Sequence, residues 1–197
     1  MTNTFEMKQQ ELVLTVISVE SLLFTVASAW GYFAHINPFH KIQFNTEDII
    51  LAVLNSFLLL AVNFLVINVF SKYIPFFRYL KEAYDEITPI AANITFPGAF
   101  IIAVFSGFAE EFLFRGIIQI QFGIIIASVL FGLFHIGSKK TLWYGIYAVI
   151  IGFYLGLLYH ITGNLLVTII VHCLNNFLAL YYMRYYYRKY IKNSNYE

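Results

Sequence analysis

Charge is scarce in this chain: Asp, Glu, Lys and Arg together make 12% of its 197 residues, against roughly 25% in an ordinary soluble domain. Hydrophobic residues make 60%. That balance excludes a soluble globular domain and implies an integral membrane protein. At about 20–25 residues per span there is room for roughly six helices and no separate soluble domain. The single cysteine, Cys173, excludes an intramolecular disulfide. The net charge is +1 and the cations lie in short clusters between apolar runs, so no basic face exists and nucleic acid is excluded as a partner. Internal repeats and low-complexity segments are missing too. The expected fold is a single all-α domain over residues 1–197, a polytopic helical bundle surrounded by membrane lipids.

What is present is a succession of apolar runs. The first spans Glu11 to Trp30. Its Ala27-Ser28-Ala29 resembles a signal-peptidase site, yet Glu6 and Glu11 beside Lys8 make a poor n-region, so an uncleaved helix is expected. The second runs from Ile49 to Phe70 and carries Asn55, Asn63 and Asn68, amides suited to interhelical hydrogen bonds. Ser71 to Asn93 is charged and aromatic and reads as an interfacial connector helix. A third helix starts near Pro97, whose fixed φ suits a first turn, and reaches about Gln121. Phe122 to His135 is a shorter fourth, Leu142 to Tyr159 a fifth and Leu165 to Tyr182 a sixth, separated by a polar turn at Gly137–Lys140 and a break at Thr162–Asn164. The Tyr- and Arg/Lys-rich tail suits an aromatic and basic membrane anchor.

The cations orient this arrangement. With six spans, Lys8, Lys72, Arg78, Lys81, Lys139, Lys140, Arg184, Arg188, Lys189 and Lys192 fall on one side. Both termini are then expected in the cytoplasm, and the Ile-, Phe-, Tyr- and Asn-rich composition suggests a bacterial plasma membrane protein.

Against this apolar background, Glu110, Glu111 and Arg115 stand within six residues of one another in the third run. Ionisable groups at membrane depth are expensive and need a reason. Glu111 and Arg115 are i,i+4 neighbours that can pair along their own helix. Glu110 points about 100° away, on a face continued by the small residues Ala103, Ser106 and Gly107. At 1.5 Å per residue from the outer helix ends, Glu110 lies about 16 Å down, His135 about 20 Å, His172 about 11 Å and Asn176 about 17 Å. Four groups on three helices thus converge near the midplane.

A carboxylate there is a candidate general base, and Glu110 takes that role. His172 and Asn176, also i,i+4, share a face and make a candidate oxyanion hole, in which neither group need be charged. His135 suits orienting the attacking water, and Phe131, one turn earlier, suits covering the site. Asn175 is the alternative inward amide. His35, His40 and His160 read as ordinary helix-end or loop residues, and Cys173 lacks a helical-phase partner for nucleophilic chemistry. Glu20, an acid within the first run, has no place in this scheme.

In order, Glu110-Glu111-x-x-x-Arg115, Phe131-x-x-x-His135 and His172-x-x-x-Asn176 resemble the three motifs of the CPBP intramembrane protease family. That family comprises CAAX prenyl proteases of the Ras-converting type and bacterial bacteriocin-processing or self-immunity (Abi) proteins. The resemblance covers residues 97–182 as a catalytic core. It implies an intramembrane endopeptidase acting on a membrane-associated peptide or lipidated protein, either CAAX-type or a bacteriocin or signal-peptide precursor. By resemblance, Glu110 and His135 activate water, His172 and Asn176 bind the oxyanion, and Glu111, Arg115 and Phe131 support them. No cofactor is expected. Zinc is the alternative, with Glu110, His135 and His172 as three ligands, but the chain has no His-Glu-x-x-His helix and no further carboxylate to act as base. The competing functions are a non-catalytic immunity or scaffold protein that binds a peptide in the same cavity, and a proton-coupled carrier.

Overall fold

The computed structural model describes residues 9–139 and 141–191. Lys8, Lys140 and Lys192, three of the cations used to orient the chain, lie outside the described residues, as does Glu6. The described residues form a bundle of seven α-helices: α1 (Gln9–Ala34), α2 (Thr46–Asn68), α3 (Pro75–Ile87), α4 (Phe96–Leu113), α5 (Gln119–Phe134), α6 (Leu142–Thr162) and α7 (Leu165–Tyr186). Among the described residues, five helical stretches are long and apolar enough to cross a membrane, and one of them, Phe96–Phe134, is 39 residues long. This is a multi-pass membrane protein.

The 39-residue stretch is not one rod. A π-helical turn, Phe114–Ile118, joins α4 to α5, and Gly123 within α5 takes φ 82° and ψ 171°. That region of backbone space is open essentially to glycine alone. The chain reverses there, because Phe114 meets Phe131 and Phe134 at ring-centroid distances of 5.2 and 5.6 Å. The sequence placed this break at Phe122, one residue away. After this reversal α5 continues only over residues 124–134, a rise of about 16 Å, short of the roughly 30 Å hydrocarbon core.

Contacts fix the helix directions. Gln9 meets Thr95 and Phe24 meets Phe112, so α1 runs parallel to α4. Ser106 meets Asn176 and Ile94 meets Arg184, so α4 and α7 are antiparallel. Six helices consequently alternate in direction, with α3 as the connector that does not reverse the chain. Helix α3 is amphipathic and docks on the end of α7, where Lys81 Nζ bonds Asp85 and Tyr186, each at 2.7 Å. Burial works against the Lys81 ammonium, yet these two hydrogen bonds outweigh it and raise its pKa above the ordinary lysine value.

The α2 asparagines do bridge helices. Asn55, Asn63 and Asn68 accept the hydroxyls of Tyr154, Tyr147 and Tyr182. Asn63 also donates to Asn175 at 2.8 Å. At the opposite end, buried Asn164 caps α7 and donates to Asp48 on α2, after Gly163 ends α6 with φ 62°. These bonds hold α2, α6 and α7 around a common space.

Candidate active site

Glu110 and Glu111 close α4, and helical rotation sends them to different neighbours. Glu111 is fully buried and its Oε1 accepts from Arg115 Nη1 at 2.8 Å. Arg115, also fully buried, donates its Nη2 to the Gly152 carbonyl of α6 at 2.8 Å and lies 4.6 Å from the Phe131 ring centre. The same Glu111 Oε1 stands 2.9 Å from His172 Nδ1 on α7. Because Oε1 already receives the guanidinium, the hydrogen on that last contact belongs to His172. A neutral His172 then has a lone pair at Nε2, and Nε2 donates only when the ring is protonated. This differs from the expectation that His172 could act as a donor uncharged.

Glu110 turns toward α5, with its Oε2 3.9 Å from His135 Nε2. His135 caps α5, and its Nδ1 lies 2.7 Å from the Phe131 carbonyl. A carbonyl only accepts, so the proton sits on Nδ1 and the Nε2 lone pair faces the carboxylate. Phe131 is buried among three of these residues, with its ring 4.6 Å from His135 and 5.7 Å from His172. Its backbone sets the tautomer of one histidine while its ring packs on both.

Asn176 Nδ2 donates to Ser106 Oγ on α4 at 3.0 Å, leaving its second N–H. The small face of α4 serves α7: a Cβ on Gly107 would lie 2.6 Å from Cys173 Sγ. A cavity of about 450 Å³ opens beside the site, lined on its polar side by His135, His172, Asn175, Asn176 and Tyr144 and elsewhere by apolar side chains of α2, α6 and α7. Among the described residues, no group of three or more His, Cys, Asp or Glu side chains is arranged to hold a metal ion.

These placements bring together Glu110, Glu111, Arg115, Phe131, His135, His172 and Asn176, all within the segment where similarity to known proteins falls. Residues 92–178 match the family model described as Type II CAAX prenyl endopeptidase Rce1-like. The similarity to that family covers less than half of the chain. The matched stretch comprises α4, α5, α6 and most of α7. The chain is also 35% identical over 83 residues to the uncharacterized protein YpbD of Bacillus subtilis (strain 168), an alignment covering 42% of this chain and 44% of that relative. No solved structure matches it.

Two residues beside this site could not be placed from the sequence. Glu20 lies on the stripe of α1 that faces α4 and α7, within electrostatic range of Glu110 and His172, with a buried Oε2 that has no hydrogen-bond partner. Its signal was an acid inside an apolar run; its partner depends on α1 lying parallel to α4. Tyr144 had no signal, being one of 15 tyrosines.

Proposed function

We propose that the chain is an intramembrane endopeptidase of the glutamate type, cleaving a peptide bond in a membrane-associated protein or peptide. The observation that carries this reading is the 3.9 Å separation of Glu110 Oε2 and His135 Nε2. Two acceptors at that spacing can each take a hydrogen bond from one water, whose oxygen lone pairs then face the substrate. Glu110 removes a proton as the water oxygen bonds to the scissile carbonyl carbon. The free N–H of Asn176 holds the resulting oxyanion, and His172 Nε2 joins it only when that ring is protonated. Glu110 then returns its proton to the amide nitrogen as the C–N bond breaks. Arg115 keeps Glu111 ionised as the acceptor that fixes the His172 ring.

The reaction in this scheme draws on protein groups and water alone. The apolar cavity beside the polar cluster suits a substrate with an apolar side chain or lipid chain next to the scissile bond: a CAAX-type protein, or a bacteriocin or signal-peptide precursor. The cation distribution supports cytoplasmic termini in a bacterial plasma membrane.

The test is hydrolysis of a panel of fluorogenic peptides, with and without lipid chains, by the purified full chain in detergent. Wild type should cleave at least one, Glu110→Gln should fall by about 10²–10⁴-fold, and a strong chelator should change neither. Chelator sensitivity reversed by zinc would overturn the metal-free mechanism. Activity equal in wild type and Glu110→Gln would overturn the base assignment. No cleavage by wild type, together with cellular function retained by Glu110→Gln, would replace the protease with a peptide-binding immunity or scaffold protein.

A further inference from the structure

With His172 neutral, the oxyanion site is one donor short. His172 gives its Nδ1–H to Glu111, and Asn176 gives one of its two amide hydrogens to Ser106. In the neutral-ring state a single Asn176 N–H is left for a developing negative charge, whereas acyl-transfer sites place two or more donors there. A missing donor has to come from a neighbouring helix.

Helix α6 supplies one. Its first turn is pressed against the end of α5 by two facing glycines: a Cβ on Gly132 would lie 2.6 Å from the Gly145 carbonyl oxygen. That backbone contact leaves no play between His135, three residues after Gly132, and Tyr144, immediately before Gly145. The two rings lie 5.8 Å apart. Tyr144 lines the same cavity as His135, His172 and Asn176, and its hydroxyl is within electrostatic range of Glu110. Of the other tyrosines around this cavity, Tyr147 is committed to Asn63 and Tyr182 to Asn68, while the Tyr84 hydroxyl, on α3 against the Tyr186 ring and away from His135, is buried without a hydrogen-bond partner. Among the described residues, none takes a hydrogen bond from the Tyr144 hydroxyl.

We infer that Tyr144 is a catalytic residue whose phenol O–H, together with the free N–H of Asn176, donates to the carbonyl oxygen of the scissile peptide. The inference rests on the proteolytic reading above. No proton is transferred from Tyr144 in this step; the O–H shortens its hydrogen bond as the carbonyl becomes an oxyanion and relaxes when the C–N bond breaks. The role requires an uncharged donor on the cavity wall, which a phenol supplies without the cost of a second cation in the bilayer.

The experiment uses the full chain in detergent and the best-cleaved peptide of the panel, together with a phosphinate analogue of that peptide that carries a tetrahedral anion. Tyr144→Phe should lower kcat by about 10²-fold, leave KM nearly unchanged and weaken phosphinate binding in proportion to kcat. Tyr154→Phe, which removes a hydroxyl of α6 outside the cavity and bonded to Asn55, controls for packing and should keep wild-type kcat. Wild-type kcat and phosphinate affinity in Tyr144→Phe would overturn the inference, as would equal losses in the two variants. Failure of wild type itself to cleave peptide or bind phosphinate would overturn the protease reading, and the Tyr144 role with it.

Discussion

Glu111 Oε1 accepts the Nδ1–H of His172 at 2.9 Å while receiving Arg115 from the other side. Adjacent glutamates therefore do different work, and the difference is measurable. Glu111→Gln leaves a fully buried guanidinium without its counter-charge, a loss of about 3–5 kcal/mol. Glu110→Gln removes a group that has no such partner. Thermal unfolding in detergent should show a large drop in Tm for Glu111→Gln and almost none for Glu110→Gln, although both lose activity. Equal Tm values for the two variants would refute the division of labour.

Gly123 is the second point at which one atom decides the site. A Cβ there meets nothing within 4 Å, so any effect of Gly123→Ala comes from the backbone, held at φ 82°. The strain is about 1–3 kcal/mol, and its relief would swing α5 relative to α4 and carry His135 away from Glu110. Gly123→Ala should lower kcat more than tenfold with a modest fall in Tm, whereas Gly137→Ala, at a turn where a Cβ meets only Thr141 Oγ1 in ordinary contact at 4.0 Å, should do neither. Unchanged kcat in Gly123→Ala would show that the hairpin tolerates another geometry.

Much of this was legible in the sequence because the bilayer constrains it. Apolar run length gave the helices, and i,i+4 spacing gave the Glu111–Arg115 pair and put His172 and Asn176 on one face. Depth counting brought Glu110 near His135 because both positions are measured from the same reversal. The Glu111–His172 bond was not legible, since relative rotation of α4 and α7 is set by the close fit of Gly107 on Cys173, which no single-helix period encodes. Nor was the tautomer of His135, which depends on a backbone carbonyl. Glu20 was visible as an anomaly and unplaceable, because only helix pairing brings residues that far apart in sequence together.

The docking of α3 has an alkaline limit. Lys81 is held above the ordinary lysine pKa by Asp85 and Tyr186 in spite of burial. A group whose folded pKa is raised stabilises fully below its unfolded pKa, about 10.4, and this contribution is lost as pH rises through the folded value. Trp143, stacked on Tyr79 of α3 at 5.1 Å, reports that docking. In a Trp30→Phe background its fluorescence should stay constant up to about pH 10 and change above it. Lys81→Met should remove that transition. A transition that persists in Lys81→Met would assign it to another group.

Glu20 tests whether the first helix belongs to the site or only shelters it. Its Oε2 is buried without a hydrogen-bond partner, and an unsatisfied buried polar group costs about 1–3 kcal/mol. Glu20→Leu keeps the packing stripe of α1 and should therefore raise Tm by several degrees. The carboxyl nevertheless stands within the electrostatic reach of Glu110 and His172, the proposed base and the proposed anion-binding ring. Removing it alters the field in which both act, so kcat should fall while KM holds. A more stable and less active variant is the signature of a functional group kept at a cost to the fold. A variant that is more stable and fully active would reduce Glu20 to a tolerated defect, and one that is less stable would mean that the carboxyl holds α1 in place.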